Sequence, residues 1–278
     1  MIFRRIIGSA LLLAMTLSCN TNDWYAGIDV VPGGGEENPG ADDGTLPVMG
    51  KGSSIDLPGV GELSGLCMGA DSTFLWGVGD EGKLYRIGVD GSVSEHWSKD
   101  LDMEDLTMDP ASKDLYLCIE GDQKVVRVPA PNYNSSSDLW FVQDAVDGKY
   151  KNDGIEGIAW YKDGSLYVGS QTDANLWLFR KDGTKQSMTS LVRFSSKITE
   201  VAGLCYDPVA DRLWVVDSKS FKLFLFKGDA SALLKTYDIS TVTRNNPESV
   251  CVDRRNKCIW VADDDKQSVL HKIEFTNL

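Results

Sequence analysis

Short apolar runs broken by turn residues fill the chain after about residue 50. Among them an aliphatic-aromatic pair recurs five times: Leu75-Trp76, Leu115-Tyr116, Leu166-Tyr167, Leu213-Trp214 and Ile259-Trp260. Counted from Trp76, the aromatic residues follow at intervals of 40, 51, 47 and 46 residues, the range of propeller blades rather than of ankyrin or leucine-rich repeats. Each pair follows a segment that opens on a carboxylate and passes through a small residue into a β-rich stretch. The pairs therefore mark equivalent strands of one repeating sheet unit.

Each unit reads as four short strands. In the fourth, the pattern predicts an inner strand over 200–206, a turn at Asp207-Pro208, and a second strand over 213–216. A third strand over 222–226 and a fourth over 234–239 follow, with Gly228-Asp229 turning between them. Inner strands alternate only weakly between apolar and polar, as expected where neighbouring blades bury both faces. The stretch 52–57 (GSSIDL) resembles the fourth strands of other units but precedes the first full one, so it is expected to supply the outer strand of the last blade and close the ring. The fold class predicted is all-β: a single β-propeller of four-stranded blades. Five blades are expected, with six as the alternative if the long region 129–154 hides a degenerate one; that region is read as a fourth strand over 139–142 between elongated loops.

The segment before the repeats changes the picture. Arg4 and Arg5 precede an apolar run from Ile6 to Leu17 that ends in Leu17-Ser18-Cys19. The run is too short for a permanent spanning helix and resembles a lipoprotein signal peptide, with Cys19 as the acylated residue. Residues 20–48, carrying GGGEENPGADDG, read as a flexible acidic spacer reaching roughly 30 Å. The organisation expected is thus a leader over 1–19, a linker over 20–48 and a propeller over 49–278. The protein is expected in the cell envelope as an outer-membrane lipoprotein, held by lipid on Cys19 and otherwise monomeric. Each buried methylene of such an anchor contributes about 0.8 kcal/mol.

Acidic residues number 41 against 28 basic ones, and losing two positive charges with the leader takes the net charge from −13 to −15. That excess argues against nucleic acid as a partner and suits a cation. Five cysteines follow Cys19. Cys67, Cys205 and Cys251 align at one repeat position, where Thr107 and Ala159 stand in the other units, which reads as a small packing slot. Cys251 and Cys258 are expected on opposite faces of a hairpin, and no disulfide framework is predicted. The only histidines, His96 and His271, fall on predicted outer strands, so neither a His-rich metal site nor a catalytic dyad is expected.

The inner strands carry the candidate chemistry. A glutamate opens the strand in units one and four, Glu62 and Glu200, and stands two residues later in the others, Glu104, Glu156 and Glu248. Side chains two apart on a strand share a face, so all five, joined by Asp102, can point to the central axis. A second acidic set ends the second strands: Asp80, Glu120, Asp217 and Asp263, with Ser170 in unit three. Both sets are expected at one channel mouth, where crowded carboxylates must take up protons or bind a hard ion such as Ca²⁺. Lys99, Lys151, Lys197 and Arg244 precede the inner strands. Together with Asp80, Glu120, Asp217 and Asp263, Lys151, Lys197 and Arg244 could hold an anionic ligand at the rim. Glutamates locking blades together through backbone amides is the competing reading.

The segments ELSGL (62–66), IEGIAW (155–160) and NPESVCVD (246–253), with the strand ends WVVD (214–217) and WVADD (260–264), resemble the SdiA-regulated or YjiK-like family of bacterial propellers, akin to esterase-like phytase domains. The likeness runs from Glu62 to the C-terminus. It implies a five- or six-bladed propeller in an exported or membrane-attached protein, with calcium as an implied ligand and no assigned activity. Glu62, Glu104, Glu156, Glu200 and Glu248 match its motif positions, while Ala202 and Asp105 depart from its usual Ser and Gly. Three functions compete: a cation-stabilised module binding a small ligand or envelope protein; a metal-assisted phosphoesterase or lactonase with Glu156 as candidate general base; and a passive scaffold. The chain has no GxSxG segment.

Overall fold

The structure, a computed structural model, describes residues 44–142, 154–181, 186–193, 197–243 and 245–278. Five antiparallel sheets carry the described chain. Blade 1 comprises β2 (Leu63–Met68), β3 (Phe74–Gly79), β4 (Lys83–Gly88) and β5 (Val93–Ser98). Blade 2 follows with β6 (Met103–Met108), β7 (Leu115–Ile119), β8 (Lys124–Val128) and β9 (Ser137–Phe141). Blade 3 has β10 (Ile155–Trp160), β11 (Leu166–Ser170), β12 (Asn175–Lys181) and β13 (Gln186–Arg193). Blade 4 has β14 (Gly203–Asp207), β15 (Arg212–Asp217), β16 (Lys222–Lys227) and β17 (Leu233–Asp238). Blade 5 is built from β18 (Asn246–Pro247) and β19 (Cys251–Asp253) beside β20 (Cys258–Asp264), then β21 (Val269–Thr276), with β1 (Val48–Asp56) outermost.

The propeller is five-bladed and closed by its N-terminal strand. β1 runs antiparallel to β21, with Ser54 opposite His271 and Asp56 opposite Val269. Its approach is fastened to blade 4, because Pro47 O accepts hydrogen bonds from Tyr237 Oη (2.7 Å) and Lys235 Nζ (2.8 Å). The C-terminal end is tied as well. Arg254 donates to Leu278 O and, through Nε at 2.7 Å, to Asp207, whose carboxylate is 2 % exposed.

The repeat alignment survives residue by residue. Cys67, Thr107, Ala159, Cys205 and Cys251 pair respectively with Trp76, Tyr116, Tyr167, Trp214 and Trp260. Apolar residues from adjacent blades interlock between the sheets; one core cluster joins Trp76, Val78 and Leu84 of blade 1 to Leu106, Leu117 and Val126 of blade 2. Two sequence expectations change. Cys251 and Cys258 share a face, since Cys251 pairs with Trp260 and Asp253 with Cys258 across a four-residue turn; both thiols are free, as are Cys67, Cys118 and Cys205. His271 lies on the third strand of its blade and is 4 % exposed, because β1 covers what would otherwise be the outer edge.

Around the axis the inner strands approach closely at the position two before the paired small residue. Gly65, Gly157 and Gly203 occupy it in blades 1, 3 and 4. A Cβ at Gly65 would lie 2.5 Å from the Asp105 Cα, and one at Gly203 2.3 Å from the Glu248 carbonyl oxygen. Blade 2 places Asp105 there instead. Its carboxylate accepts from the backbone N–H of Leu106 (2.8 Å), of Ile158 in blade 3 (2.9 Å) and of Leu204 in blade 4 (3.2 Å). One side chain thus crosses the hub and ties three inner strands together.

Candidate functional site

The central glutamates owe their aim to a defect in strand pairing. In β6, Met103 pairs with Ile119 and Asp105 with Cys118, leaving Glu104 as the extra residue of a β-bulge. β10 bulges at Glu156 and β2 at Ser64 in the same way. A bulge bends its strand and redirects the unpaired residue. Here that sends Glu104 and Glu156 into the hub, where each feels the other, and Glu248, whose N–H bonds Ala262 O, takes the equivalent place in blade 5.

Asp102, Glu104 and Glu120 form the tightest group, with one carboxylate oxygen from each lying within 4.8 Å of the others. Backbone donors orient two of them: Gly121 N–H bonds Asp102 Oδ2 at 3.1 Å, and Gly154 N–H bonds Glu120 Oε1 at 2.9 Å. Glu104 is 7 % exposed and Glu156 4 %. Burial pushes both carboxyls well above the usual range. Glu248, Glu120, Asp102 and Asp80 add repulsion at Glu104; Glu104, Glu120 and Glu248 do so at Glu156. Glu248 is raised to about 9, first by burial and then by Asp264, Glu200 and Asp80. Asp80 reaches about 7 through burial and its contact with Glu62. Carboxylates of all five blades therefore feel one another, and among the described residues no Lys or Arg pairs with Glu62, Glu104, Glu156 or Glu248.

Other expected members are tied off or face away. Glu200 is 3 % exposed but tied off, accepting from Ser218 Oγ and, at 2.5 Å, from Lys219 Nζ. Asp217 accepts from the N–H of Thr199 (2.7 Å) and Ser220 (3.0 Å), and so braces its own loops. Asp263 accepts from Thr243 Oγ1 and faces His271 Nε2 at 2.8 Å. Neither joins the mouth. The reason is parity: Asp217 and Asp263 stand four residues after the Leu or Ile of their pair, whereas Asp80 and Glu120 stand five after, and one step along a strand reverses the face. The residue that does answer to Asp80 and Glu120 in blade 5 is Asp264, missed in the sequence. Burial raises its pKa, with repulsion from Glu62. Asp80 Oδ1 and Asp264 Oδ1 are buried without a hydrogen-bond partner. Of the basic rim, Lys197 is exposed, Lys99 donates to Ser136 Oγ at 2.9 Å, and Lys151 and Arg244 lie outside the described residues, as does Cys19.

This donor set fits a hard cation. All ligands are carboxylate oxygens, three converge, and two neighbouring oxygens lack partners; a divalent ion would relieve repulsion that the protein otherwise meets by holding protons.

No protein-family model matches the chain, and no curated protein matches it in sequence. Solved structures do match in fold. A gluconolactonase from Xanthomonas campestris superimposes with a TM-score of 0.53 at 15 % identity, covering 81 % of this chain and 90 % of that one. A luciferin-regenerating enzyme gives 0.52 at 12 % identity, covering 81 % and 95 %. A nidogen/laminin complex gives 0.51 at 15 % identity, covering 72 % of each. The chain shares the β-propeller fold with all three. Such likeness carries no activity across, since two of these are enzymes and one is a protein-protein complex.

Proposed function

We propose that this propeller is a cation-binding module of the cell envelope, anchored by lipid on Cys19, in which Asp102, Glu104 and Glu120, assisted by Glu156, Glu248, Asp80 and Asp264, hold Ca²⁺. The observation that supports it is the convergence of three carboxylate oxygens within 4.8 Å, one of them from the buried and unpaired Glu104. The ion stiffens the hub and shapes the mouth for a small anionic ligand or an envelope protein. Membership of the SdiA-regulated or YjiK-like family is part of this reading. Calorimetric titration of the lipid-free protein with CaCl₂ tests it: one site is expected in the wild type, with affinity falling at least about 10-fold in Glu104→Gln. No heat of binding in the wild type overturns the proposal. Retention of Cys19→Ser in the membrane fraction would separately overturn the anchor.

A second reading is a metal-dependent hydrolase of lactones or phosphoesters. Glu156 favours it, being buried beside Glu120, where a cation in the hub would shift its carboxyl towards the ionised form that a general base needs; the gluconolactonase neighbour makes lactones the first class to test. A bound cation would polarise the carbonyl oxygen of such a substrate. Lactone turnover that is lost in Glu156→Gln supports this role, and undiminished turnover in that variant removes Glu156 as base.

A further inference from the structure

Ring closure assembles a second constellation on blade 5; its Asp263 adjoins the hub's Asp264 in β20 but faces the other way. Ser54 of β1 stands directly opposite His271 of β21, and its Oγ lies 2.9 Å from His271 Nδ1. On the other side of the ring, Nε2 lies 2.8 Å from Asp263 Oδ2. Thr243 Oγ1 donates to the remaining Asp263 oxygen. A carboxylate can only accept, so the neutral imidazole carries its proton on Nε2, and Nδ1 is left to accept from the Ser54 hydroxyl. The burial is graded: Ser54 is exposed, while His271 is 4 % and Asp263 2 % exposed.

We propose that Ser54 is an acylatable nucleophile, with His271 as its general base and Asp263 and Thr243 as positioning residues, acting on unhindered esters. The order is hydroxyl, imidazole, buried carboxylate, which is what an activated serine requires whatever the fold that carries it. β1 is the edge strand of its sheet, so alternate backbone N–H groups beside Ser54 face outward, where an acyl oxygen could receive them. On so open an edge the group accepted is the carbonyl of a small ester or one displayed on a surface, not one that needs a deep acyl pocket.

The step balances without a co-reactant. The Ser54 Oγ to carbonyl carbon bond forms and the bond from that carbon to the leaving oxygen breaks. The Ser54 proton passes to His271 Nδ1 and from there to the departing alkoxide, which leaves as an alcohol. Water then adds to the acyl carbon, giving its proton to Nδ1; that proton returns to Ser54 Oγ as the acid departs.

An alkyl fluorophosphonate probe, with peptide mass spectrometry of the labelled protein, tests the assignment. One adduct on Ser54 is expected, absent in Ser54→Ala and formed on the order of 100-fold more slowly in His271→Gln, the usual scale of base assistance. Labelling should persist in Glu104→Gln and in chelator, which separates this site from the cation reading. No adduct on Ser54, or an equal rate in His271→Gln, overturns the proposal. If His271→Gln does not fold, the wild type still decides, because neighbouring Ser53 is a control with no imidazole bonded to it: adducts shared between Ser53 and Ser54 overturn it.

Discussion

Glu104 on β6 and Glu120 just past the end of the adjacent β7 bring carboxylate oxygens within 4.8 Å of each other and of Asp102, with no described Lys or Arg paired to either glutamate. Glu200 is the contrast, buried to a similar degree but bonded to Lys219 and Ser218. Removing a charge from each should therefore act differently. Glu104→Gln is expected to weaken Ca²⁺ binding at least about 10-fold, roughly 1.4 kcal/mol, and Glu200→Gln by less than about 3-fold. Titration calorimetry on both variants checks the pair.

Protons and cations compete for the same oxygens. Raised carboxylate pKa values, about 9 for Glu248 and about 7 for Asp80, mean that the folded state holds more protons than the unfolded one between about pH 4 and those values. Stability from these groups is fully present below the unfolded pKa and is lost as pH rises through the folded one. In chelator, the melting temperature should fall from pH 5 to pH 9, and the fall should be shallower in Glu248→Gln. A melting temperature that rises over that range contradicts the assignment.

The hub depends on Asp105. Its removal orphans buried N–H groups of Ile158 and Leu204 on two other blades, at about 1–3 kcal/mol each. Asp105→Ala is expected to lower the melting temperature by about 4–24 °C, given about 2–4 °C per kcal/mol for a domain of this size. Thermal denaturation followed by circular dichroism reads this directly. Gly203→Ala should cost about 1–3 kcal/mol by overpacking, since its Cβ would meet the Glu248 carbonyl at 2.3 Å.

Between blades 4 and 5, Arg254→Ala leaves the Asp207 carboxylate buried and without its guanidinium. Breaking such a pair from one side typically costs about 3–5 kcal/mol. Denaturant unfolding should register that loss, and the double variant Arg254→Ala with Asp207→Ala should recover part of it.

Blade number, strand pairing and the ring-closing strand were legible because the Leu75-Trp76 type of pair and the small residue opposite it keep a constant offset across every inner hairpin, from Cys67 with Trp76 to Cys251 with Trp260. The site was legible only in part. Glu104 and Glu156 were found, although by a two-residue alternation that the bulges interrupt. Asp217 and Asp263 end second strands just as Asp80 and Glu120 do, so strand ends alone do not tell them apart; the offset from the paired Leu or Ile does, and it yields Asp264. His271 gives no local sign, because its seclusion depends on β1, more than 200 residues earlier in the chain, and a contact of that range leaves no local pattern. Asp105 stands out as a departure from the glycine usual in the family the sequence resembles, yet nothing local tells that its carboxylate reaches Ile158 and Leu204.

The most direct test of the acidic hub is the melting temperature of one protein preparation in excess CaCl₂ and in chelator at pH 8. If the carboxylates of Asp102, Glu104 and Glu120 hold the ion, the calcium form should melt higher, by about 2.7 kcal/mol of linkage at a hundredfold excess over Kd, and Glu104→Gln should remove at least about half of the difference. Identical melting in both solutions would contradict the cation-binding account.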